Sequence, residues 1–373
     1  MRKFYFFLLL LTVIFTAGFL YRYVNLKQPQ EKVYVAVEGE GKIIAFDAAT
    51  RRIVSSIDLS VEHRGGRMMF APHNIQVAPD MKSVWVTANA SKHQDHSSLI
   101  PNARAHGEVE KGGEEPDEVI IIDPLKDQII KRIPIAVGIH LAHVVLTPDS
   151  SLAYVTAQHE GMLYGIDTKT FEVVDRIHLL SEGEPHGIRL APSGTVAYIA
   201  FLKGKIMGTF KLKDAGFDGV NLSGSVVQTG VTPDGRFVVA SIYDSKQLAL
   251  FDAQRIQTSE LWLINLPATS RGPIQMYPTP DSRYMYLADQ GYYFNQPIGE
   301  WVYKIDLEKG IVVKEIKAGQ GPHGVVVSSD GKLVYVTNLL SGDVSIIDAA
   351  TDEEIGRVKV GQEPNGISVW RNQ

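Results

Sequence analysis

Residues 322–360 read PHGVVVSSDGKLVYVTNLLSGDVSIIDAATDEEIGRVKV. Short apolar runs alternate here with turn residues. Ser329-Asp330-Gly331 separates VVV from LVYV, Ser341-Gly342 precedes the next run, and Asp348 opens a turn before the last. A Gly- or Asp-centred turn between two alternating runs is a hairpin signal. The stretch therefore predicts four short antiparallel strands in succession, labelled A to D.

The same unit recurs along the chain. The first hairpin returns as QVAPDMKSVWVTAN, VLTPDSSLAYVTAQ, RLAPSGTVAYIAF, GVTPDGRFVVAS and YPTPDSRYMYLAD. The second returns around Asp47, Asp123, Asp167, Asp252 and Asp306, whose carboxylates can accept local backbone N–H groups. Phe210 stands at that place in a degenerate fourth copy. The starts of strand A align as His73, Ala142, His186, Val227, Ile274, His323 and Asn365, with spacings of 69, 44, 41, 47, 49 and 42 residues. Units of about 40–50 residues and four strands are propeller blades. The spacing of 69 reflects an insertion over residues 91–116 in blade 2. The repeats begin at Lys32 with B, C and D only and finish on an orphan strand A in GQEPNGISVW. Pairing of Gly366–Trp370 with the first blade would close the ring and remove its open edges. The expected fold is all-β: a seven-bladed β-propeller of four-stranded antiparallel blades over residues 32–373, preceded by one N-terminal transmembrane helix and a short linker within residues 1–31.

Residues 4–21 form an apolar run behind Arg2 and Lys3. About 20 apolar residues span a bilayer, and a basic flank holds its end in the cytoplasm. A single-pass signal anchor with an extracytoplasmic, periplasmic body is expected. A signal peptide cleaved near Thr16-Ala17-Gly18 is the alternative. The net charge is −5, yet the first 30 residues carry +4, so the body carries −9. So acidic a body lacks the basic patch that nucleic acid requires. The chain has no cysteine, which excludes disulfides, thiolate metal sites, iron–sulfur clusters and thiol nucleophiles.

Tyr335-Val336-Thr337-Asn338 resembles the signature of the YVTN β-propeller family, and Val86-Thr87-Ala88-Asn89 and Tyr154-Val155-Thr156 look like worn copies. The resemblance covers residues 32–370 and implies an extracytoplasmic propeller more than any one activity. More distantly, the unit is similar to the propellers of nitrous-oxide reductase and haem-type nitrite reductase. Those carry a copper cluster and a modified haem at one face of the disc.

The eleven histidines avoid the A-to-B and C-to-D turns and gather at the opposite, top face. His73, His186 and His323 start strand A nearest the axis, while His140 and His143 bracket the same place in blade 3. In a regular strand those two would face opposite ways, so they would share an ion only if His140 lies in the loop. Neutral imidazole suits zinc, copper and iron. The candidate metal ligands are thus His73, His186 and His323, with His93 and His96 from the insertion acting as a lid. Blades 2, 4 and 7 are not all neighbours, so convergence would need a lid ligand or a bridging haem-like tetrapyrrole. His143, Arg189, Tyr292 and Tyr293 are candidate cofactor contacts at the same face. The same positions also admit a packing role, because Ala142 and Asn365 replace histidine in other blades.

Gly319-Gln320-Gly321-Pro322-His323-Gly324 formally matches a dinucleotide fingerprint but precedes a strand, and no HExxH, GxSxG or phosphate loop occurs. Three functional readings remain. The first is a binding or scaffold module whose top face takes a protein partner, a small ligand, or a metal or tetrapyrrole for respiratory-enzyme assembly. The second is a metal-dependent redox enzyme, disfavoured by the lack of a second electron-transfer domain. The third is an interaction propeller without a cofactor.

Overall fold

The computed structural model describes residues 29–63, 66–91, 115–180, 183–214, 216–256, 261–293 and 296–373. The apolar run at 4–21 and the histidines at 93 and 96 lie outside them. Among the described residues no helix is long and apolar enough to cross a membrane.

Seven antiparallel sheets form the blades. Blade 7 shows the pattern: Pro322–Val327, Leu333–Asn338, Asp343–Asp348 and Glu353–Lys359 follow one another outward from the axis. Its two middle strands are buried on both faces, whereas the outermost alternates exposed and covered residues. Each blade is sandwiched between two others, so only its rim meets water. That is why strands B and C read as continuous apolar runs. Blade 2 departs from the expected four strands, because Val61–His63 pairs with the start of Gly66–Val77 and adds a fifth.

The ring closes as the ends of the sequence predict. Pro364–Arg371 pairs with Glu31–Val37, matching Val369 to Val33 and Ile367 to Val35. Trp370 is buried in the core between blades 1 and 2 and donates its indole N–H to the Met81 carbonyl at 2.7 Å.

The turn aspartates act locally. Asp47, Asp123, Asp167, Asp252, Asp306 and Asp348 each accept a backbone N–H two or three residues on, at 2.7–3.0 Å. Phe210 has no carboxylate to offer, and in blade 4 strands C and D pair without a register shift.

Every inner strand opens with a bulge that skips one or two residues of the register. Four bulges are held by a hydroxyl from strand B. Thr337 accepts the Gly324 N–H at 2.7 Å and donates to the Asn365 carbonyl of the adjoining blade at 2.8 Å. Thr87, Thr156 and Ser241 do the same for Asn74, His143 and Gln228, tying them to Ala142, His186 and Ile274. These clips fix the rim of the channel where the histidines stand.

Candidate metal centre at the mouth of the channel

A bulge presents two successive residues where a regular strand presents one. Either can therefore face the axis. In blade 3 the first position is Ala142 and the second is His143. In blades 4 and 7 the first is His186 or His323 and the second is glycine. A Cβ at Gly187 would run into Gln228, and one at Gly324 into the Asn365 carbonyl. The glycines thus let each histidine lie over the next blade.

The outcome differs from the expected set. One nitrogen each of His73, His143 and His186 lie within 4.8 Å of one another, all buried. These residues come from blades 2, 3 and 4, which are consecutive, so no lid ligand is needed to bring them together. His323 stands aside from this triad. Its ring meets Tyr293 edge-on at 5.5 Å, and its Nδ1 receives the Gln290 amide N–H at 2.9 Å. Gln290 is oriented by accepting the Tyr293 backbone N–H. The amide puts the His323 proton on Nε2, as the Gln228 amide does for His143, so what separates His323 from the triad is its place in blade 7. Tyr292 is half-buried beside Tyr293, their rings 5.9 Å apart. Both belong to an apolar collar with Leu202, Tyr243, Ile274 and Leu339.

The triad has its own supporting shell. His186 Nδ1 donates to the Val227 carbonyl at 2.9 Å, which leaves its Nε2 lone pair facing His73. The two Nε2 atoms are 3.4 Å apart. The Glu38 carboxylate lies 3.6 Å from His73 Nδ1 and accepts the Asn365 side-chain N–H at 2.6 Å. The Asn365 amide, 3.3 Å from the same Nδ1, presents a donor there, which puts the His73 proton on Nε2, facing His186 Nε2. His143 Nδ1 is met by the Gln228 amide at 3.4 Å, and its Nε2 is buried without a hydrogen-bond partner. Leaving such an atom unmatched costs about 1–3 kcal/mol.

His140 precedes the strand with φ of 52°, so it does lie in the loop, its ring 5.1 Å from His73 and 5.3 Å from His159. Burial holds His140, His143 and His323 well below the ordinary histidine range, and neighbouring imidazoles add to the effect. Burial, reinforced by His73 and opposed by the Val227 carbonyl, brings His186 down to about 3. These rings are neutral at physiological pH, the form that ligates metal. His63 pairs with Glu115 at 3.1 Å, away from the triad. Arg189 sits three residues below the His186 bulge position. Gln228, Gln290, Glu38 and Asn365 escape sequence reasoning, since side-chain amides and a loop acid carry no spacing signal.

The family model described as the Cytochrome D1 heme domain matches residues 274–365, which spans blades 6 and 7 and includes His323 but none of the triad. Three solved structures share the propeller fold. A functionally unknown protein from Desulfotomaculum acetoxidans DSM 771 superposes with a TM-score of 0.69 at 14% identity, covering 92% of this chain and 99% of its own. Kuenenia stuttgartiensis hydrazine synthase gives 0.63 at 16%, covering 81% and 95%. Virginiamycin B lyase from Staphylococcus aureus gives 0.61 at 13%, covering 79% and 87%. No curated protein matches the chain.

Proposed function

We propose that this chain is a membrane-anchored, extracytoplasmic binding module that holds a divalent transition-metal ion at the mouth of its channel through His73, His143 and His186. The observation that carries this reading is the convergence of three buried imidazoles within 4.8 Å, with Nε2 of His73 and of His186 3.4 Å apart. A metal ion there would take the place of the proton shared between those two rings. Two nitrogens bound to one tetrahedral zinc ion at its usual bond length stand about 3.3 Å apart. Three buried imidazoles with a carboxylate near one of them are a donor set suited to zinc, or to copper.

A tetrapyrrole is the second reading, supported by the family match over residues 274–365. The donor geometry fits it less well. Axial ligands on opposite sides of one iron would stand about 4 Å apart at similar bond lengths, so the 3.4 Å pair cannot serve as both. The YVTN-like strings and the basic-flanked apolar run support the extracytoplasmic placement.

The test is elemental analysis and cobalt(II) titration of protein purified without a polyhistidine tag. One equivalent per chain with a tetrahedral cobalt spectrum is expected. His73→Ala with His186→Ala should abolish it while the melting temperature of the metal-free protein stays close to wild type. Stoichiometric metal in the double variant, or haem binding that survives it, would overturn the assignment of the triad.

A further inference from the structure

We propose that the central channel, below the histidines, holds a small planar oxyanion of the carboxylate type between the guanidinium of Arg189 and the hydroxyl of Tyr277. The register defines the level. Arg189 pairs with Tyr198, Tyr277 with Tyr286, and the matching residues of the other blades are Gln76, Val145, Gly230, Val326 and Ser368. No acid stands among them. Across the five levels that begin at the bulges, from His73–Val77 in blade 2 to 365–369 in the closing strand, Arg189 is the only charged residue.

Strand A lines the channel, and Arg189 is half-buried on it. Tyr277, two blades on at the same level, is half-buried as well. No carboxylate lies within ion-pairing distance of Arg189 among the described residues. Its one hydrogen bond there runs from Nη1 to the carbonyl of its own neighbour Ile188, at 2.8 Å.

A cation withdrawn from bulk water without a counter-ion is costly. Uncharged residues fill every other place at these levels, so the charge calls for a ligand of opposite sign. The remaining N–H groups of a guanidinium form a planar fork that matches a carboxylate, and Tyr277 adds an O–H donor. His143 and His186 above are held neutral by burial and bring no competing positive charge. This site is independent of the metal.

The full-length, chelator-treated protein tests it, with formate as the probe and isothermal titration as the readout. One saturable site per chain is expected. Arg189→Met should weaken binding at least about tenfold, in line with the loss of a charged hydrogen bond. Arg189→Lys, which keeps the charge but not the fork, and Tyr277→Phe, which removes one oxygen, should each weaken it by a smaller factor. Absence of a saturable site in the wild type would overturn the proposal. So would wild-type affinity in Arg189→Met, or, should that variant not fold, wild-type affinity in both Arg189→Lys and Tyr277→Phe.

Discussion

His186 shows what burying an imidazole among others does to stability. Its folded value of about 3 lies below the ordinary 6.5, so the unfolded chain binds the proton more readily. The stability that follows is fully present above pH 6.5 and is lost as pH falls toward 3. Each such histidine contributes a slope of about 1.4 kcal/mol per pH unit in that window. His140 and His143 shift in the same direction. Urea midpoints of the metal-free protein should therefore drop steeply between pH 6.5 and 5, and His186→Asn should flatten the curve. A midpoint independent of pH over that range would show that the cluster is hydrated or already protonated in the folded state.

Among elements, the clip at each bulge carries the most specific contribution. Thr337→Val keeps the shape but strands the Gly324 N–H and the Asn365 carbonyl inside the protein. The expected cost is about 1–3 kcal/mol by denaturant titration, with Thr337→Ser near wild type. This gives the Thr of the Tyr335–Asn338 string a physical role. Asn338 has one as well: it accepts the Gly319 N–H and donates to Asp343 and Ser345. Such features are legible in sequence because the clip, in four blades, and the aspartate turn, in six, act through local offsets that recur along the chain. Which histidines meet is not legible in the same way. The bulge allows either of two neighbouring residues to face the axis, so aligning His73, His186 and His323 by repeat position misses His143. His323 stands apart from the triad beside Tyr293 and Gln290, the latter from the far end of the adjoining blade's strand B, partners no spacing rule reveals.

At the scale of the whole molecule, the ring depends on its last strand. Removing residues 361–373 takes Trp370 out of the core between blades 1 and 2 and leaves Glu31–Val37 as an unpaired edge. Trp370→Ala alone should cost about 3–5 kcal/mol. The truncated chain should lose its single cooperative melting transition, and calorimetry showing that transition unchanged would refute closure as the source of stability. Closure also brings the two ends of the described chain together: Asn372 N–H donates to the Gln30 carbonyl at 2.9 Å, and the Gln30 amide returns a bond to the Asn372 carbonyl at 3.1 Å. Both ends lie where strand A finishes and strand B starts, on the face opposite the histidines. A tether through the first 28 residues would thus seat the disc on the bilayer like an upturned bowl, its rim toward the open compartment. Whatever loads or empties the mouth would then arrive from solution and not along the lipid surface, and a tag appended at either terminus would sit across the disc from the triad.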